Sequence, residues 1–203
     1  TVTGVQTCAL PIYFSYPKAA EISLASLEGV ARSEVVETGE ILKGISFTCA
    51  PGTLTALVGL SGGGKTTIAN LIPRLYDVTA GAIKLNGFDV RDIELKSLRS
   101  SIGVVTQDAH MFHDSIAMNL KYANPSATEE ELRQACESAA IWDFVANLPN
   151  GLDTVVGDRG HRLSGGEKQR LAIARLLLKE PRIVILDEAT AHLDSENEEL
   201  IQQ

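Results

Sequence analysis

The chain is short of positive charge: 18 Lys and Arg stand against 26 Asp and Glu, a formal net charge of −8 over 203 residues. A nucleic-acid surface draws its affinity from clustered Lys and Arg, so this balance argues against one. No run of 18 apolar residues occurs, so no segment here is long enough to span a bilayer as a helix. Cysteine is scarce. Cys8, Cys49 and Cys136 are isolated and lack metal-ligand spacing, and Cys49 and Cys136 are expected as buried thiols of a reducing compartment. The length suits one large domain, or one with a subdomain, and is ample for a core.

Thr1–Ile12 (TVTGVQTCALPI) has no clear periodicity and looks like the in-frame translation of a common sequencing-library adapter. It is set aside as a non-native leader, leaving 13–203 as the domain. Phe14-Ser15-Tyr16-Pro17 reads as a short aromatic strand ended by proline, and Lys18–Glu40 as a surface insertion with weak pattern.

Signals sharpen from Glu40. Ile41–Phe47 alternates in part, Pro51-Gly52 is a turn, and Thr53–Val58 is a second strand of apolar and β-branched residues. That strand runs into Gly59-Leu60-Ser61-Gly62-Gly63-Gly64-Lys65-Thr66-Thr67, with a helix expected from about Thr67 to Tyr76. The pattern is G-x-x-x-x-G-K-[ST] between a strand and a helix, the context in which it makes a phosphate-binding loop. Glycines let the backbone wrap closely so that successive N–H groups face phosphates. Lys65 brings a mobile charge for the β- and γ-phosphates, and the Thr66 hydroxyl can ligate Mg²⁺.

Further on, Ala82–Leu85 with Asn86-Gly87 reads as a hairpin arm, and Ile102–Thr106 as a buried strand ending at Gln107. A polar residue at the carboxyl end of a strand in an α/β sheet lies where ligands collect. Thr128 and Glu131 form a capping box for a helix through about Ala140, and Ile141–Leu148 adds a turn or two before Pro149-Asn150-Gly151. This all-helical block, about 115–165, interrupts the α/β pattern as an inserted subdomain.

Leu163-Ser164-Gly165-Gly166-Glu167 then opens a strongly helix-forming run, with Ser164 as N-cap. A glycine-lined helix start offers free N–H groups and the positive end of a dipole to an anion. Taken alone, the same stretch would equally suit an ordinary capped core helix. After Pro181, Arg182–Leu186 is the continuous apolar run of a strand buried on both faces, ending in Asp187-Glu188. Two acids there are costly to bury without a cation, which favours a metal-and-water role.

The phosphate loop, LSGGEKQR at Leu163–Arg170 and ILDEAT at Ile185–Thr190 occur in the order seen in ATP-binding cassette (ABC) ATPases, which the chain resembles from about Phe14 to Gln203. The resemblance implies an α/β fold: a P-loop NTPase (RecA-like) core with an antiparallel β subdomain and an inserted α-helical subdomain. It implies ATP and Mg²⁺ as ligands. Tyr16 would stack on adenine. Gly59, Gly62, Gly63, Gly64, Lys65, Thr66 and Thr67 would contact phosphates and Mg²⁺. Gln107 would touch Mg²⁺ and sense a transmembrane domain. Asp187 would hold Mg²⁺, through water, and Glu188 would be the general base. Ser164, Gly165 and Gly166 would close over the ATP of a second nucleotide-binding domain, identical or different. TVVGDRG resembles the X-loop of exporters, with Asp158 where glutamate is usual; His192 departs from the family's D-loop, and the chain stops before the switch histidine.

The implied role is the ATPase of an exporter at the cytoplasmic face of a membrane, its spanning helices upstream of Phe14. A soluble ABC protein acting on DNA or the ribosome, an importer ATPase, and a nucleotide-binding module without turnover stay open as alternatives.

Overall fold

The computed structural model describes residues 5–17, 39–106, 109–157, 160 and 162–187. The content is mixed α/β, and the chain divides into two compact units, Thr1–Leu98 and Arg99–Gln203.

In the first unit, β1 (Thr7–Phe14), β2 (Leu42–Cys49), β3 (Ala80–Leu85) and β4 (Phe88–Asp89) form an antiparallel sheet in the order β2-β1-β3-β4. The β3–β4 connection is the expected Asn86-Gly87 turn. Both residues have positive φ, 49° and 85°, as a two-residue hairpin that follows the strand twist requires. Contrary to the expectation that residues 1–12 stand apart from the fold, Thr7–Ile12 builds most of the inner strand, paired on both sides. Ile12 and Phe14 are fully buried. The pairing slips register between Ala9 and Ile12, because Pro11 cannot donate to a ladder and a proline inside a sheet sits at a bulge.

Helix α1 (Lys65–Leu71) is shorter than expected, stopping before Pro73 rather than reaching Tyr76. The Thr53–Val58 strand does not form: Thr53–Leu60 is without ladder pairing among the described residues, with Leu54 and Val58 both 93% exposed. β-Forming composition makes a pleated surface, but a strand also needs a partner's N–H and C=O.

In the second unit, α2 (Leu95–Ser100) spans the division between units, then β5 (Ile102–Val105) pairs in parallel with β8 (Ile183–Leu186). Val184 and Leu186 stay about half exposed, so β8 is not covered on both faces as expected; β5 is its one ladder partner among the described residues. Helix α6 (Gly165–Lys179) packs on β5. It sits so close that a Cβ on Gly103 would fall 2.2 Å from Leu176 Cδ1.

Between β5 and α6 run α3 (Ile116–Lys121), α4 (Glu129–Ser138), α5 (Trp142–Ala146) and a 3₁₀ turn at Gly151–Asp153. The block is mainly helical, with one addition: β6 (Asp114–Ser115) and β7 (Val155–Val156) pair antiparallel. Its core joins Ile116, Leu120, Leu132, Cys136, Val145, Val156 and Leu171, all buried. The Thr128–Glu131 capping box forms in both directions, Glu131 N–H to Thr128 Oγ1 at 3.3 Å and Thr128 N–H to Glu131 Oε2 at 2.7 Å. Cys136 is buried, as expected. Cys49 is only half-buried, because it lies at the end of β2 on a sheet face that is partly open.

Candidate functional site

The first unit presents the glycine loop. Gly62 and Gly64 both have positive φ, 78° and 85°, a region glycine enters without a Cβ penalty. The two differ in surroundings. A Cβ on Gly62 would meet nothing within 4 Å, whereas one on Gly64 would lie 2.7 Å from Leu42 Cδ2. Gly63 N–H donates to Leu60 O at 3.0 Å, which closes the loop into a turn. Gly64 is also the N-cap of α1, so the N–H groups of Lys65, Thr66 and Thr67 form the first turn, where a helix leaves donors unpaired.

The Lys65 ammonium folds back over this loop, donating to Gly59 O and Leu60 O, both at 3.0 Å. Thr66 is exposed and Thr67 is buried. The Tyr16 hydroxyl lies 3.2 Å from Thr67 Oγ1, and its ring meets Phe14 and Tyr76 edge-on, with centroids 4.9 and 5.2 Å away. The structure therefore gathers Tyr16, Gly59, Gly62, Gly63, Gly64, Lys65, Thr66 and Thr67 around the start of one short helix. A backbone this open, bearing a lysine whose partners among the described residues are loop carbonyls, fits a polyphosphate. No cluster of three His, Cys, Asp or Glu that could hold a metal ion occurs among the described residues.

The second unit carries the remaining described site residues. Ser164 caps α6 with a complete capping box: Glu167 N–H donates to Ser164 Oγ at 3.3 Å, and Ser164 N–H to Glu167 Oε2 at 2.6 Å. Gly165 and Gly166 form its first turn, and Gly165 is exposed. Asp187 follows β8 directly, its N–H donating to Val105 O at 2.9 Å, so the half-buried carboxylate sits at the carboxyl end of two parallel strands. Gln107 and Glu188 lie outside the described residues, as do Asp158, His192 and nearly all of the 18–40 insertion.

Sequence reasoning passed over Asn119 and Arg175. A mid-helix Asn and a mid-helix Arg belong to no motif; what marks them is burial, at 1% exposure for Asn119, and a shared set of hydrogen bonds.

The profile of the "ABC transporter" family matches residues 42–191. The chain is 55% identical over 161 residues to "ABC transporter aclQ" of Aspergillus oryzae, covering 79% of this chain and 20% of that protein. It is 54% identical over 159 residues to "ATP-dependent lipid A-core flippase" of Thiobacillus denitrificans, covering 78% and 28%. Among solved structures, that of a bacterial Atm1-family ABC exporter with ATP bound aligns over all of this chain and 32% of its own, with TM-score 0.85 and 41% identity. The chain thus spans between a fifth and a third of the length of these relatives.

Proposed function

The chain belongs to the ABC transporter family, and from that premise we propose that it is the nucleotide-binding domain of an exporter, hydrolysing ATP to drive transport. The observation that carries this reading is the loop Gly59–Thr67. Two left-handed glycines turn the backbone into the head of α1, and Lys65 is held there by its own carbonyls. The fold proposed with it is a RecA-like core, an antiparallel β subdomain that includes β1 from Thr7, and a helical subdomain at about 115–165.

In this reading the N–H groups of the loop and of the first turn of α1 receive the phosphates, and Lys65 leaves Gly59 O and Leu60 O to meet them. Tyr16 stands beside Thr67 to meet the base. Mg²⁺, when held by Thr66, Gln107 and, through water, Asp187, supplies positive charge to the phosphate oxygens. Glu188 accepts the proton of the attacking water. Ser164, Gly165 and Gly166 close over nucleotide bound by a second such domain, where a capped helix start suits an anion. Membrane-spanning domains would turn that closure into export, with this domain at the cytoplasmic face. The likeness to a lipid A-core flippase and an Atm1-family exporter supports an exporter over an importer or a soluble ABC protein.

Two substitutions test it in the protein carrying this domain. Lys65→Ala is expected to weaken ATP binding at least tenfold by equilibrium titration; unchanged affinity refutes the cradle. Glu188→Gln is expected to abolish hydrolysis while ATP binding persists, and full turnover in that variant removes Glu188 as the base.

A further inference from the structure

Arg175, in the C-terminal half of α6, sends its guanidinium sideways into the segment between β5 and β6. Its Nε donates to Asn119 O at 2.8 Å, and Nη1 to His110 O at 2.7 Å. Its Nη2 donates to Asn119 Oδ1 and, at 3.4 Å, to Met111 Sδ. The cation also lies 5.8 Å from the centroid of the Phe112 ring. Asn119 continues the network from α3: Oδ1 accepts from Phe112 N–H at 2.9 Å, and Nδ2 faces Phe112 O, Asp114 O and Ser115 O at 3.0–3.2 Å. Residues 110, 111 and 112 are thus each held, directly or through Asn119, by one side chain of α6.

Among the described residues, every partner of this guanidinium is neutral. Burial, the larger effect, pushes its pKa below the usual arginine value, and among the described residues no carboxylate pairs with it. Burying a charge against neutral groups is expensive, and a Leu or Met of similar size would pack there at less cost. A planar fork gives what an apolar side chain does not: several fixed bonds to a stretch that has no ladder of its own. That stretch follows Gln107. Two residues lie between Gln107 and His110, a reach of at most about 10 Å, and one, Thr106, lies between it and Val105 in β5.

We propose that Arg175 is a positioning residue for ATP turnover, clamping residues 110–112 to the helix capped by Ser164 and so anchoring the chain on the C-terminal side of Gln107. The proposal rests on the ATPase reading and on the role given there to Gln107. Without the fork, residues 110–112 lose these bonds to α6. A displacement of about 1 Å in a reacting site costs on the order of 100-fold in rate, so the loss should fall on kcat and leave nucleotide affinity alone.

The test measures kcat, KM for Mg-ATP and binding of a fluorescent ATP analogue in the protein carrying this domain. Arg175→Lys keeps the charge and loses the fork; Arg175→Ala removes both. Lys179→Met, one turn further along α6, is the structural comparator, because Lys179 also donates to backbone carbonyls, those of Arg99 and Ile102. Both Arg175 variants are expected to lose at least tenfold in kcat with analogue affinity within twofold, whereas Lys179→Met keeps kcat within twofold. In a Gln107→Ala background, Arg175→Lys should add less than twofold, since the two act as one unit. If Arg175→Ala fails to fold, Arg175→Lys carries the test. A kcat within twofold of wild type in Arg175→Lys, or losses that multiply with Gln107→Ala, overturns the clamp. A wild-type protein without ATPase activity, or Lys65→Ala with full activity, overturns the underlying reading instead.

Discussion

Gly62 and Gly64 separate two costs that a glycine-to-alanine substitution usually mixes. Both have left-handed backbones, with φ of 78° and 85°. Placing a Cβ in that region costs about 1–2 kcal/mol. At Gly62 the new methyl group meets nothing, so that cost stands alone. At Gly64 it would lie 2.7 Å from Cδ2 of Leu42, a side chain 1% exposed at the start of β2. Overpacking a filled site adds about 1–3 kcal/mol, for a total of about 2–5 kcal/mol. With a urea slope of about 2 kcal/mol/M, Gly62→Ala should lower the denaturation midpoint by about 0.5–1 M and Gly64→Ala by about 1–2.5 M. Far-ultraviolet circular dichroism is the readout, since the single tryptophan, Trp142, lies in the other unit. Leu42→Val, by removing the crowding carbon, should recover part of the Gly64→Ala loss and none of the Gly62→Ala loss. Equal midpoints for the two alanine variants, or a Leu42→Val effect that only adds, would refute the packing argument.

Ser164→Ala removes half of the α6 capping box and should cost about 1 kcal/mol of stability, with Ser164→Asp retaining most of it, as read by the same denaturation. The Cys136 thiol, buried in the helical block, is pushed up to about 12; at pH 8 iodoacetamide should alkylate half-buried Cys49 and leave Cys136 untouched until the protein unfolds. On α4, the Arg133 guanidinium holds the Glu130 carboxyl down to about 2. Its folded value is depressed, so whatever it adds to helix stability is present above the ordinary carboxylate range and lost as pH falls toward 2. An NMR titration should find it there, and Arg133→Gln should return it toward the ordinary value.

What could be read from the sequence was what neighbours along the chain decide. Thr128 with Glu131, Ser164 with Glu167, and Asn86 with Gly87 each complete their geometry within a few residues, and each stands where its pattern puts it. Pro73 was an equally legible stop for α1. The first strand was hidden because its alternation changes phase: Thr7 and Ala9 point in, Leu10 and Pro11 both lie out, then Ile12 and Phe14 point in again. A two-residue period sought across that bulge finds none. Thr53–Val58 and Ile183–Leu186 show the opposite failure, since composition names a strand and only a distant partner decides whether it is paired or covered. The bond between Arg175 and Asn119 joins residues 56 apart. The glycine loop, the Ser164 cap and Asp187 are candidates by motif, and the structure adds their conformations.

One consequence follows from Lys65 resting on Gly59 O and Leu60 O. The loop satisfies its own cation, so any anion offered to it competes for an ammonium already engaged. On the proposed reading, phosphate binding would be an exchange: two carbonyls surrender their donor to water, and phosphate oxygens acquire it. Affinity at this loop would then be a difference between two similar sets of charge-assisted bonds, and small changes in how well Gly59 and Leu60 hold the lysine would retune it without touching any atom proposed to meet the nucleotide.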